Sequence, residues 1–175
     1  SRERFPAGIG CIWRMREAKM TALFGRHVNK IDRKGRISVP KPFRDALADQ
    51  QFIGVYVFPS FKYAAIEALS EAFFNRVVGS LENLDLFSDD QDDLATIVEN
   101  THALPYDTEG RVILPKSLLE HANLTSEAAF VGRGGRFLIW EPGACDRQRE
   151  RAFERARARG ATLALNSGSG DGGEK

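Results

Sequence analysis

The chain has 175 residues, 42% of them hydrophobic and 28% charged, with a formal net charge of +1. This is the composition of an ordinary soluble globular protein, and the charge balance by itself names no partner. No apolar run approaches a membrane span, the longest strand-like one being Ile53 to Phe58, and Cys11 and Cys145 show neither metal nor disulfide spacing, so a cytoplasmic setting without a membrane partner is expected.

In chain order, residues 1–19 are read as an N-terminal extension, in which Ile9 to Trp13 is too short and Gly-rich for a signal peptide. Residues 20–79 form a first unit with a trailing helix. Within it Asp32-Arg33-Lys34-Gly35-Arg36 precedes Ile37-Ser38-Val39-Pro40-Lys41, and Phe43 to Leu47 has the apolar spacing of one helical face. Ala64 to Val78 places Ile66, Leu69, Phe73 and Val77 at helical spacing, which predicts a helix with an apolar side at Phe73-Phe74. Residues 80–100 are an acidic linker helix that Ser88 is placed to cap, with Leu94, Ile97 and Val98 on its apolar stripe.

Residues 101–144 repeat the first unit. Asp107-Thr108-Glu109-Gly110-Arg111 is followed by Val-Ile-Leu-Pro-Lys, so that Asp, Gly, Arg, Pro and Lys all recur at an offset of 75. The match runs on through the short helix, after which the register slips to 74, setting Val55-Tyr56-Val57 against Ala129-Phe130-Val131 and Tyr63 to Glu67 against Phe137 to Glu141. An internal repeat of this kind is one structural unit used twice. Each copy reads as strand, turn, strand, short helix, strand, turn, strand. A unit of about 45 residues buries too little apolar surface to fold alone, so the two copies are expected to share a core. Pro142 then opens an Arg-rich helix, assigned to residues 145–160, whose arginines are expected to form intrahelical ion pairs. Residues 161–175 are a Gly/Ser-rich tail expected to be disordered.

The repeated turn carries the chemistry. An Asp at its first position can accept hydrogen bonds from backbone N–H groups farther on, and a Gly at its fourth supplies positive φ without steric cost, so Asp32, Gly35, Asp107 and Gly110 are read as turn-structural. Arg36 and Arg111 leave the turn at the start of a strand, where a planar fork can grip a phosphate or a guanine edge bidentately. From Arg26 to Arg44 seven basic residues accompany one acid, Asp32. That local stripe points to a polyanion, with Arg36 the leading contact, Lys34, Arg33 and Arg111 next, and Lys30 and Lys41 as weaker phosphate contacts. The second turn offers Thr108-Glu109 where the first offers Arg33-Lys34, which predicts weaker anion binding there.

The paired Asp-x-x-Gly-Arg…Pro segments, the Phe24-Gly25 and Val28-Asn29 entry, and the Phe-Val-Gly…Phe-x-Ile-Trp-Glu ending resemble the MraZ family, in the flavour of its alphaproteobacterial members. The resemblance implies a mixed, mostly β fold with short helices: a pseudo-symmetric, swapped-hairpin, double-psi-like β-barrel of two SpoVT/AbrB-like repeats, plus a C-terminal helix. It also implies a transcriptional regulator that binds short direct repeats in double-stranded DNA at the promoter of the division and cell-wall gene cluster. The resemblance further implies assembly into rings, so a nucleoid-associated homo-oligomer is expected.

A competing class is a non-enzymatic ring-forming protein whose basic loop contacts an acidic protein partner. Catalysis is not expected. His27, His102 and His121 are isolated, no Cys-x-x-Cys exists, and Gly132-Arg133-Gly134-Gly135 lacks the Lys-Ser/Thr and helix of a phosphate loop and reads as a hairpin turn. No cofactor, metal or small-molecule substrate is expected.

Overall fold

The computed structural model describes residues 22–162. The extension assigned to 1–19, Cys11, and all but the first two residues of the tail assigned to 161–175 lie outside them. In chain order the elements are β1 (Arg26–Lys30), β2 (Arg36–Ser38), α1 (Lys41–Ala46), β3 (Gly54–Pro59), β4 (Ala65–Leu69), α2 (Glu71–Leu81), α3 (Asp89–Glu99), β5 (His102–Pro105), β6 (Arg111–Ile113), α4 (Lys116–His121), β7 (Glu127–Gly132), β8 (Arg136–Trp140) and α5 (Pro142–Ala158). Strand, turn, strand, helix, strand, turn, strand is therefore present twice.

The strands form a six-stranded antiparallel sheet in the order β1-β7-β8-β4-β3-β5 and a separate ribbon of β2 with β6. Exchanging the copies, so that β1 becomes β5, β3 becomes β7 and β4 becomes β8, maps this order onto itself. Only the hairpins β3–β4 and β7–β8 pair within a copy, while β1–β7, β3–β5, β4–β8 and β2–β6 all pair across copies. The sheet is open, contrary to the barrel expected: β1 and β5 are its edges. Each ribbon strand lasts three residues before Val39-Pro40 or Leu114-Pro115, and a single bridge, Ile31 with Ile37, ties the ribbon to the end of β1. A proline has no ladder donor, so the short strands cannot be extended to close the gap.

One core serves both copies. Ile37, Val39 and Phe43 pack in the same cluster as their counterparts Val112, Leu114 and Leu118, and the Phe43 ring meets Phe137 of the other copy with centroids 5.0 Å apart. A fragment ending at Ser80 would expose this cluster and leave β3 and β4 without their partners β5 and β8. Such a fragment is expected to show no cooperative thermal transition by circular dichroism. A sharp, concentration-independent melt would contradict the shared core.

Two details of the sequence reading need correction. The backbone N–H of Ile31 donates to the Ser126 carbonyl at 2.8 Å, and its counterpart Tyr106 donates to Ile53 at 3.0 Å. Ser126 and Ile53 are 73 apart, so Val55 and Val57 take the places of Ala128 and Phe130, and the loop after the helix is two residues shorter in the second copy, not one. In the next strands the offset is 71, because Tyr56 pairs with Leu69 as Ala129 does with Trp140, so Ala65 takes the place of Arg136 and the expected match of Tyr63 to Glu67 with Phe137 to Glu141 fails too. A one-residue error of register moves every side chain to the opposite face, which is why the core positions decide it. The second correction concerns the helix predicted over Ala64 to Val78. Its first part is β4, a central strand buried at every position, whose sequence Ala65-Ile66-Glu67-Ala68-Leu69 carries no two-residue alternation to separate it from a helix. The helix starts only after Ser70, whose Oγ accepts from Phe73 N at 3.1 Å. The acidic helix α3 is capped by Ser88 as predicted, with Oγ accepting from Gln91 N at 3.2 Å.

Candidate nucleic-acid interface

The two turns are built alike. In the first, Asp32 Oδ1 accepts from the backbone N–H of Lys34 and of Arg36, each at 2.9 Å, and Oδ2 accepts from Arg36 Nε at 2.6 Å. In the second, Asp107 Oδ1 accepts from Glu109 N and Arg111 N, again at 2.9 Å, and Oδ2 from Arg111 Nε at 2.7 Å. Gly35 at φ +75° and Gly110 at φ +74° make the left-handed bend that returns the chain into β2 and β6. One carboxylate thus closes the turn with one oxygen and aims the arginine with the other.

These contacts hold both carboxyls below the usual carboxylate range, first through the N–H of Arg36 or Arg111 and then through the arginine side chain. The folded value is depressed, so this stabilisation is complete above the ordinary Asp value of about 3.9 and is lost as pH falls through the lower folded value. In an NMR titration the amide signals of Lys34, Arg36, Glu109 and Arg111 are expected to move together with midpoints below about 3.9. Midpoints at or above it would contradict the clamp.

The ribbon brings the turns together. Ser38 lies opposite Arg111 and Arg36 opposite Ile113, while Ile37 and Val112, each 1% exposed, point into the core. Arg36 and Arg111 therefore share the outer face, on a diagonal whose Cα atoms are about 8 Å apart by strand geometry. Each turn is braced by the other copy. Leu114 N donates to Gly35 O at 2.9 Å with the Leu119 side chain beneath Gly35, and Val39 N donates to Gly110 O at 3.1 Å with the Arg44 guanidinium against Gly110. Arg44 is fixed there by Nε donating to Val39 O at 3.0 Å.

The arginines are not equivalent. Among the described residues Arg36 is paired only with Asp32, whereas Arg111 also binds Glu109 Oε2 through Nη2 at 2.6 Å, and these acids hold its guanidinium more firmly charged. Arg33 and Lys34 are exposed in the first turn and Lys30 is exposed at the end of β1; among the described residues none of the three is in an ion pair. Lys41 opens α1 with Nζ 2.7 Å from Asp45. Sequence reasoning did not find the cross-brace of Arg44, nor that Asp32 and Asp107 orient the arginines. The four-residue Asp-to-Arg spacing was the signal for the second.

Elsewhere, the intrahelical ion pairs expected along α5 are mostly absent: Arg149 binds Asp146, but Arg151, Arg155, Arg157 and Arg159 form none among the described residues. Gly132 to Gly135 turns the β7–β8 hairpin, with Gly134 at φ +81°. His121 Nε2 lies 3.1 and 3.2 Å from the carbonyls of Ser60 and Tyr63, and the His27 ring stands edge-on to Phe43. Among the described residues no group of three or more His, Cys, Asp or Glu could hold a metal ion, and no helix is long and apolar enough to cross a membrane.

Comparison with known proteins points one way. Residues 97–164 match the family model for MraZ protein, described as antitoxin-like. The chain is similar to the transcriptional regulator MraZ of Gluconacetobacter diazotrophicus, at 44% identity over 142 residues covering 79% of this chain and 90% of the relative. It is also similar to the transcriptional regulators MraZ of Parvibaculum lavamentivorans (45%, covering 71% and 79%) and Methylocella silvestris (37%, covering 79% and 85%).

Proposed function

The chain belongs to the MraZ family, and from that premise we propose that it is a transcriptional regulator that binds double-stranded DNA sequence-specifically through its paired Asp-x-x-Gly-Arg turns. The observation that carries this reading is the pair of arginines clamped by Asp32 and Asp107 on one outer face of the β2–β6 ribbon. A two-stranded ribbon fits the major groove. Clamping Nε leaves the terminal nitrogens of Arg36 to meet guanine O6 and N7, or a phosphate, with little further loss of side-chain freedom. Arg33 and Lys34 flank it as phosphate contacts, with Lys30 and Lys41 farther out, and Arg111 reads or grips more weakly because Glu109 competes for it.

In this reading residues 20–79 and 101–144 are the two repeats, and the acidic 80–100 segment and the 145–160 helix are additions to them. The targets are short direct repeats at the promoter of the division and cell-wall gene cluster, bound in the cytoplasm at the nucleoid. Several copies act together as a homo-oligomer, in a ring, without catalysis. A gel-shift titration with promoter and random DNA at several salt concentrations tests the reading. Affinity is expected to fall steeply with salt on both DNAs and to stay higher on the promoter throughout. Equal affinity for the two DNAs would overturn sequence-specific binding, and no binding at low salt would overturn DNA binding altogether.

A further inference from the structure

Between the two arginines of the ribbon's outer face stands a large apolar side chain. The outward residues are Arg36 and Ser38 on β2 and Arg111 and Ile113 on β6, and Ile113 is 61% exposed. A lone exposed isoleucine on a protein surface carries no meaning by itself. This one lies directly across the ribbon from Arg36, with Cα atoms about 5 Å apart by strand geometry, and two residues along the same face from Arg111. Its neighbours Val112 and Leu114 are buried, and Leu114 N donates to Gly35 O of the other copy, so the backbone that carries it is held by the core and by the first turn. Ser38 takes the equivalent place in the first copy, where β2 forms the same three-residue strand. The repeated fold therefore does not require an apolar group there.

We propose that Ile113 reads the C5 methyl of a thymine in the major groove, in a base pair beside the one that Arg36 contacts. This rests on the DNA reading above and names one base that it requires. Any nucleic acid that meets both arginines must also cover Ile113, which lies between them on the same face. The thymine methyl is the only methyl that a base pair presents in the major groove, whereas a phosphate lying there would offer the isoleucine no apolar partner. The separation of about 5 Å from Arg36 falls between one and two base-pair rises of about 3.4 Å, which sets the thymine in a neighbouring pair. Isoleucine is branched at Cβ and stiff at its first torsion, so holding it against a methyl costs little side-chain freedom. On the other diagonal Ser38 offers a hydroxyl in place of apolar surface. The two halves of the ribbon thus ask for different bases, and a site read in this way has a direction, as direct repeats do and palindromes do not.

Replacing thymine by deoxyuridine deletes the methyl and keeps every base-pairing group, which makes the test a single-group change. The full-chain parent and Ile113→Ser are titrated by fluorescence anisotropy with the promoter duplex and with the same duplex carrying deoxyuridine for thymine, first throughout and then one position at a time. Loss of one buried methyl is expected to weaken the parent about four-fold per engaged subunit, at one position of each repeat. Ile113→Ser is expected to bind both duplexes alike, at about the parent's affinity for the deoxyuridine duplex. The side chain is exposed, so parent and variant are expected to melt together. Equal affinity of the parent for the two duplexes would overturn the inference. A deoxyuridine penalty that Ile113→Ser keeps in full would overturn it as well, by assigning the methyl to another side chain or to the stiffness of the DNA. A parent that prefers promoter over random DNA and is weakened by Arg36→Ala, yet ignores the methyl, leaves the DNA reading standing without this inference, whereas a parent with no promoter preference loses both.

Discussion

Arg36→Ala is expected to weaken operator binding more than any other single change in the two turns. The substitution removes a clamped fork whose only ion-pair partner among the described residues is Asp32, at a cost of roughly 1–3 kcal/mol per subunit for a bidentate base contact. In an oligomer that loss is repeated at every engaged subunit. Arg111→Ala should cost less, because Glu109 and Asp107 already occupy much of its donor capacity and oppose an approaching anion. Thermal melts of both arginine variants should match the parent. Asp32→Ala is expected to do two things at once: it releases the N–H groups of Lys34 and Arg36, lowering stability, and it frees Arg36 Nε, so that the fork must be ordered at the moment of binding. Affinity by fluorescence anisotropy beside melting by circular dichroism separates these effects. Greater loss for Arg111→Ala than for Arg36→Ala, with unchanged melts, would reverse the order of the two turns and make the second the primary reader.

How much of this was legible in the sequence varied with how local each feature is. The turns were readable because Asp and Gly act within five residues, through hydrogen bonds and backbone sterics that any fold would preserve. The capping of α3 by Ser88 was readable for the same reason. What the sequence hid was non-local. Arg44 looks like one more cation in a basic stripe until pairing between copies sets α1 against Gly110. β4 imitates a helix because a strand buried on both faces carries no period of two. The repeat register failed after the short helix, where Val55 was set against Ala129 instead of Ala128, because small and branched apolar residues recur there at neighbouring positions, and it takes the Ile31–Ser126 and Tyr106–Ile53 hydrogen bonds together with the shared core positions to distinguish the two alignments. An open sheet and a closed barrel differ in whether two edge strands meet, a property of the whole chain that no local pattern encodes.

Scrambling one of two operator repeats is expected to cost far more affinity than the contacts of one subunit would suggest. A single ribbon offers few charge contacts, and binding on that scale is weak, with dissociation constants of about 10⁻⁴ to 10⁻⁶ M at physiological salt. If neighbouring subunits are held in one assembly, the first to bind raises the effective concentration of the next at the adjoining repeat, a gain of about 10² to 10⁴ without any new kind of contact. That gain disappears when the second site is lost, and also when the spacing between repeats is changed so that two ribbons cannot engage together. The parent should therefore prefer a two-repeat duplex over a one-repeat duplex by about that factor. Calorimetric titration with both duplexes measures this. Equal affinity of the parent for one repeat and two would mean that a single copy supplies the whole recognition surface, and the arginines on one β2–β6 ribbon would have to account for specificity unaided.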